Sequence, residues 1–298
     1  MWIQLLHVRP TDLSLEHYGL SWLQMPTPMQ VGPGTVAVFF AARKHGRPWI
    51  CSVLIDVDYR TPKAELRANS FEQVMAPSTQ PWSADGVYPS CTYEDQSGQL
   101  RLLFVGWVNG PIPPLFVSRI GIATLSSSGH VLNSDPVPLF DLTMQEPLLI
   151  TSPVVRRVPN GFEMLYVSGE AWVSSRSGPL SLYTLHRATS SDGVTWDRGA
   201  AVVKLEDGLT NVGRSAFLNS TTGDLLLCAV YSGSTHYELR TAKRVGDTWR
   251  VTSKEEDGRI PGLGAAYPAI LEGRSRLLFV NDSDRGQSGF RVLLWTGP

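Results

Sequence analysis

Five times along the chain, a short strand-like run holding a proline or serine is followed by a turn. An apolar run ending in a small or polar residue comes next. The five pairs are "MPTPMQV…TVAVFFAAR", "VYPSCTY…LRLLFVGW", "ITSPVVR…GFEMLYVSG", "VGRSAFL…DLLLCAVYSG" and "AAYPAIL…SRLLFVND". Anchored on Pro28, Pro89, Pro153, Ser215 and Pro268, the units are spaced by 61, 64, 62 and 53 residues. Self-similarity at a near-constant period is the signature of a repeat architecture. This period holds four short antiparallel strands with their loops. Long helical periodicity is almost absent, and the other apolar runs, such as "WICSVLIDVD" and "RIGIATLS", are short and cut by Gly, Pro, Ser and Asp, as in all-β chains. No unit reads as a cap, which favours a closed ring over an open stack. The expected fold is therefore all-β: a five-bladed β-propeller with four-stranded antiparallel blades, one domain over residues 1–298. Pairing of the run Trp2 to His7 with "GFRVLLW" would fasten the ring.

The stretch "SSDGVTW", Ser190 to Trp196, follows a third strand and opens a fourth. Asp-Gly supplies the turn, since Gly takes positive φ at no steric cost. The tryptophan behind it is expected to pack between neighbouring blades. Related remnants stand in the second unit, "IGIATLSSSGHVL", and in the fourth, "ELRTAKRVGDTWRV".

Composition narrows the function classes. Of 298 residues 42% are hydrophobic and 18% charged, enough apolar material for a sizeable core. A formal net charge of -1 gives no global field toward nucleic acid or an anionic membrane, and neither partner is expected. No run of 18 apolar residues suggests a membrane helix. The N-terminus "MWIQLLHVRP" lacks the basic region of a secretory signal. Cys51, Cys91 and Cys228 are far apart and odd in number. They read as buried structural thiols in a reducing compartment, so a cytoplasmic location is expected. The six histidines, His7, His17, His45, His130, His186 and His236, have no metal-binding spacing. Neither a metal nor another cofactor is expected. "GLGAAYP" has glycines but no following helix to receive a phosphate, and no G-x-S-x-G elbow occurs.

The pattern S-x-D-G-x-x-W, at this blade period, resembles the five-bladed β-propeller glycosidase superfamily of families 43, 32, 68 and 130. The Asp-box of six-bladed sialidases is one residue longer. The chain is most similar to uncharacterised glycosyl-hydrolase-like propellers of polysaccharide or small-molecule biosynthesis. The resemblance rests on an ordered series: "SWLQMPTP" (Ser21 to Pro28), Arg43, "GVYPS" (Gly86 to Ser90), "GW" (Gly106, Trp107), "EP" (Glu146, Pro147), "SPVV" (Ser152 to Val155), "SGEAW" (Ser168 to Trp172) and "YP" (Tyr267, Pro268). It departs from that pattern at a histidine replaced by Trp22, at paired acids reduced to Asp85 in "WSADG", and in "TNVGRS", where an acid before the arginine is missing. Family 43 enzymes carry acids at the inner-strand mouths of the first three blades. The apparent equivalents here are near Thr27, Tyr88 and Ser152, none of them acidic.

The resemblance implies a central funnel that takes a sugar or sugar-derived small molecule and acts on it by acid/base catalysis. Glycoside hydrolysis needs two carboxyl groups, and the candidates are Glu146, Asp85 and Glu170. Glu146 and Asp85 are the expected proton-transfer groups. Arg43 and Arg214 are expected to recognise an anion or hydroxyls, because a guanidinium presents a planar fork of donors. Trp22, Tyr88, Trp107, Trp172 and Tyr267 fall at expected funnel positions and would stack on a sugar ring. Two alternatives stand beside this reading. One is a repurposed lyase, isomerase or cyclase, favoured by one acid among arginines. The other is a carbohydrate-binding propeller without catalysis, favoured by aromatic walls alone. Oligomeric state is left open.

Overall fold

The computed structural model describes residues 2–112, 115–175, 178–205, 209, 211–218, 225–231, 237–251, 267–273, 275–282 and 289–296. His236 and most of "GLGAAYP" lie outside them. Strand β1 is Trp2–Val8. Blade I follows with β2 (Leu20–Gly32), β3 (Thr35–Lys44), β4 (Arg47–Asp58), β5 (Lys63–Leu66) and β6 (Glu72–Met75). Blade II holds β7 (Gly86–Glu94), β8 (Leu100–Asn109), β9 (Phe116–Leu125) and β10 (Val131–Ser134). Blade III holds β11 (Ile150–Val158), β12 (Gly161–Ser175), β13 (Gly178–Ser190) and β14 (Asp197–Ala201). Then come β15 (Val203–Lys204) and blade IV, with β16 (Asn211–Phe217), β17 (Leu225–Tyr231), β18 (Tyr237–Val245) and β19 (Thr248–Val251). Blade V holds β20 (Ala269–Leu271), β21 (Leu277–Asn281) and β22 (Phe290–Trp295).

Each blade is an antiparallel sheet in chain order, and the inner strands β2, β7, β11, β16 and β20 touch one another in sequence around the axis. Four of the five repeat anchors lie in these strands, and Pro268 immediately precedes β20. The period therefore reports the blade. Blade V is completed by β1, whose register runs from Trp2 opposite Trp295 to Val8 opposite Phe290. This is the closure expected from the two terminal runs. It supplies the outermost strand of blade V and ties the two ends of the described chain into one sheet. Two strands go beyond the four-stranded plan: β15 adds to blade IV in parallel with β19, and β6 pairs with β4 beside β5.

The apolar core lies in the wedges between blades. Met29, Phe39 and Ile50 of blade I meet Leu102 and Phe104 of blade II. Ile120 and Ile122 of blade II meet Met164 and Tyr166 of blade III. Phe279 and Phe290 of blade V close onto Val38 and Phe40 of blade I. Close packing explains Gly106 of the "GW" pair, where an added Cβ would sit 2.3 Å from the Trp82 ring. All three cysteines are free and buried. Burial pushes their thiols up, to about 12 for Cys51 and Cys228 and about 11 for Cys91, which suits inert packing groups.

The Asp-Gly turn works as the sequence implies. Gly193 has φ +80. Asp192 Oδ1 accepts from the backbone N–H of Val194 and of Thr195, both at 2.7 Å, and from the Ser190 hydroxyl at 2.8 Å. Trp196 lies 6.4 Å from the Tyr93 ring of blade II and 6.5 Å from the Phe162 ring, so it packs across the wedge between blades II and III. The two N–H donors hold the Asp192 carboxyl down, from 3.8 to about 2. Its folded pKa is below its unfolded one. The stabilisation is thus complete above pH 3.8 and is lost as pH falls through about 2. Asp192→Asn is expected to flatten the stability-versus-pH curve in that window. Urea midpoints taken at pH 5, 3 and 2 read this directly, and an unchanged slope would show that other carboxylates carry it.

Candidate functional site at the mouth of the ring

Every inner strand with a resolved run of pairing, β20 excepted, bulges at the same place in the repeat. The register shifts between Gln24 and Thr27, between Pro89 and Cys91, between Thr151 and Val154, and between Val212 and Ser215. A bulge re-aims the side chains beside it and is common next to functional sites. The backbone is also strained there: Trp22, Met25, Ser152 and Tyr267 all have φ between +52 and +68. For non-glycine residues that conformation costs about 1–3 kcal/mol each and clusters where geometry is over-determined.

Arg214 is the hub. It is 3% exposed. Its Nη2 donates to Pro26 O at 3.2 Å, Thr27 Oγ1 at 3.0 Å and Ser90 O at 2.6 Å. One guanidinium from blade IV thus ties blades I and II across the axis. Ser90 continues the girdle by donating to Pro153 O of blade III at 2.9 Å. Between blades V and I, Asn281 accepts from the Met25 N–H at 2.7 Å. Burial drives the Arg214 pKa down, to about 10. Its Nη1 is buried without a hydrogen-bond partner among the described residues.

Arg43, at the end of β3, gathers the next layer. Its Nη2 donates to the Tyr88 hydroxyl at 3.1 Å, and its Cζ stands 5.0 Å over the Trp22 ring. Tyr267 interacts electrostatically with both arginines and with Tyr88. Burial pushes the Tyr88 phenol up to about 12, with Arg43 pulling the other way, and it raises Tyr267 too. Both phenols are therefore protonated at neutral pH. From Tyr88 an aromatic wall runs outward: Trp107 at 5.8 Å, then Phe116 stacked on Trp107 at 3.8 Å, then Trp172 edge-on to Phe116 at 5.5 Å. Trp22, Arg43, Trp107, Phe116 and Trp172 are only half-buried, leaving surface for a ligand.

The structure brings all seven expected binding residues to this mouth. It treats the three acids differently. Asp85 lies beside the wall: its N–H donates to Trp107 O at 3.1 Å, and its Oδ2 accepts from the Asn109 N–H at 2.9 Å. Glu170 is exposed in the bulge of β12, without a partner among the described residues. Glu146 is neither a surface acid nor a partner of Asp85. It is 4% exposed and is held by groups from the outer strands of blade III: Tyr166 at 3.2 Å, Arg198 at 3.1 Å and His186 at 3.3 Å. Both hydrogen bonds fall on Oε2, while Oε1 has only the His186 Nδ1 contact, which does not align as a hydrogen bond; His186 is its neighbour rather than a mouth residue. Thr27, Tyr88, Ser152 and Arg214, at or beside the bulges of blades I to IV, and Tyr267, just before β20, include no carboxyl group. Phe116, which joins Trp107 to Trp172, and Ser90, which holds Arg214, were not singled out in sequence. Phe116 carried no motif signal, and Ser90 was legible only as the last letter of "GVYPS".

No family model and no curated protein matches the sequence. Solved structures do. A glycoside hydrolase superposes with a TM-score of 0.64 at 12% identity, covering 99% of this chain and 90% of its own. A thermostable family-43 glycoside hydrolase gives 0.62 at 11% identity, covering 92% and 89%. Sucrose-6-phosphate hydrolase from Lactobacillus gasseri gives 0.66 at 10% identity; it matches 97% of this chain but only 59% of its own length. The chain has the five-bladed fold of the propeller glycoside hydrolases, with arginine and tyrosine in its mouth.

Proposed function

We propose that the mouth binds a sugar or sugar-derived small molecule carrying a negative charge and acts on it by proton transfer rather than by a two-carboxylate displacement. The Arg43–Tyr88 hydrogen bond at 3.1 Å, beside an exposed aromatic wall, carries this reading. Arg43 offers the fork that suits a carboxylate or phosphate, and its buried Nε has no hydrogen-bond partner among the described residues. The wall offers faces for sugar C–H surfaces. Tyr88, kept protonated by burial, donates a proton to the departing or enolising oxygen. Asp85 is the nearby acceptor. Two facing carboxyl groups, the requirement of glycoside hydrolysis, have no support among the bulge positions. One acid, Asp85, beside the wall that starts from the Arg43–Tyr88 pair favours lyase, isomerase or cyclase chemistry on a glycosidase scaffold, since fold alone does not set activity. The neighbour from Lactobacillus gasseri is named for a phosphorylated sugar, which accords with an anionic ligand.

Tryptophan fluorescence titrations with glucuronate, glucose 6-phosphate and neutral glucose test this. The charged ligands should bind and glucose should not. Arg43→Gln should weaken the charged ligands by about ten-fold or more, the worth of one charge-assisted hydrogen bond. With a turned-over substrate in hand, Tyr88→Phe should lower kcat by about 10²-fold, within the range for a lost general acid, while leaving binding within a few-fold. Equal binding of glucose, or an indifferent Arg43→Gln, would sink the anionic reading.

A further inference from the structure

The ends of the blade III strands, on the face opposite the mouth, enclose a second site. There Arg156, Arg157, Arg187, Glu163 and Asp197 of blade III and Arg244 of blade IV line a cavity of about 580 Å³. Glu163 is 1% exposed and holds Arg156 through Nε at 2.6 Å and Arg187 through Nε at 2.7 Å, with Arg244 Nη1 at 4.0 Å. One buried carboxylate thus faces three guanidinium groups. Arg157 stacks on Phe162 at 4.9 Å, and its end groups reach Asp95 O and Gln96. Four arginines against two acids leave two positive charges along the lining. Arg187 and Arg244 remain 33% and 24% exposed, so their outer N–H groups face the cavity and solvent. Arg187 meets Glu163 through Nε as an ion pair that does not align as a hydrogen bond, so its guanidinium makes no side-chain hydrogen bond among the described residues.

We infer that this rear cavity binds a phosphate- or sulfate-bearing small molecule between blades III and IV. A phosphate monoester carries about −1.5 to −2 charges near neutral pH, which matches the surplus on the lining. Its tetrahedral oxygens accept paired bonds from guanidinium forks. The fixed carboxylate of Glu163 organises the forks before the anion arrives, so less ordering is lost on binding. The cavity is larger than a bare oxyanion and has room for the organic part of such a molecule. None of these residues lies among the bulge positions of the mouth, so the inference is independent of the proposed function.

Isothermal titration of the full chain with inorganic phosphate, sulfate and glucose 6-phosphate, against sodium chloride at matched ionic strength, tests it. Saturable binding of phosphate or sulfate, unaffected by Arg43→Gln, is expected. Arg187→Gln and Arg244→Gln should each weaken it by about ten-fold or more. Glucose 6-phosphate is also a ligand proposed for the mouth, so the rear site is read in the Arg43→Gln background: binding tighter than that of phosphate there, weakened about ten-fold or more on adding Arg187→Gln, would identify a phosphorylated metabolite as the occupant. Preference for the inorganic anion would identify free phosphate or sulfate. If Arg187→Gln does not fold, Arg187→Lys keeps the charge and removes the fork, and the same weakening is expected. Binding no stronger than to chloride overturns the site, as does unchanged affinity in the Arg187 variants or loss of phosphate binding on Arg43→Gln.

Discussion

Arg214→Met is expected to destabilise the ring by about 3–5 kcal/mol, because three buried acceptors lose their donor together. The thermal midpoint should fall on the order of 10 °C for a chain of this size. The change strands two backbone carbonyls, Pro26 O and Ser90 O, and the Thr27 hydroxyl, all of which receive Nη2. Each buried group left unmatched costs about 1–3 kcal/mol. Methionine fills much of the space and supplies none of the donors. Arg214→Lys should fall between: it keeps a charge and three donors on one nitrogen, but its shorter side chain stops short of the place from which Nη2 reaches all three acceptors. Urea unfolding followed by tryptophan fluorescence measures both. A loss below about 1 kcal/mol in Arg214→Met would mean that water satisfies the three acceptors and that the arginine is spare for a ligand.

Glu163→Gln should cost a similar amount, about 3–5 kcal/mol. The glutamate is 1% exposed and shares its two oxygens among Arg156, Arg187 and Arg244. The amide keeps the shape and removes the charge, so three guanidinium groups then repel one another with no carboxylate between them. Glu65→Gln is the control, because Glu65 pairs with Lys63 at an exposed site, where ion pairs contribute little. Differential scanning calorimetry of the two variants should show a large shift for the first and none for the second. Equal shifts would place the Glu163 cluster in effective contact with water.

How far the site was legible depends on what each residue answers to. Trp22, Arg43, Tyr88, Trp107, Trp172 and Tyr267 could be placed because each sits at a strand end, and strand ends of a propeller converge by construction of the fold. Asp192, Gly193 and Trp196 were legible for a local reason: turn chemistry lies within a few residues. Glu146 was not. Its position before β11 suggested the mouth, yet the loop after Phe140 folds it under blade III against Tyr166, His186 and Arg198. A loop's direction depends on packing that strand periodicity does not encode. Glu163 and its arginines carried no motif at all, since they alternate along ordinary strands and meet only when the sheet is laid out.

By itself the sequence determined the ring: its five sectors, the antiparallel plan of each blade and the strand exchange between its two ends. Those follow from alternation, turn residues and a repeat length, which are local and recurrent. Only the tertiary structure decided which polar groups share a space. Arg43 and Tyr88 are 45 residues apart, Arg214 and Ser90 are 124 apart, and Arg214 and Thr27 are 187 apart. Whether such groups meet depends on where each inner strand bulges and on how the blades lean together. The forces that set those angles, close packing in the wedges and satisfaction of buried donors, act between sectors and leave no periodic trace in the chain.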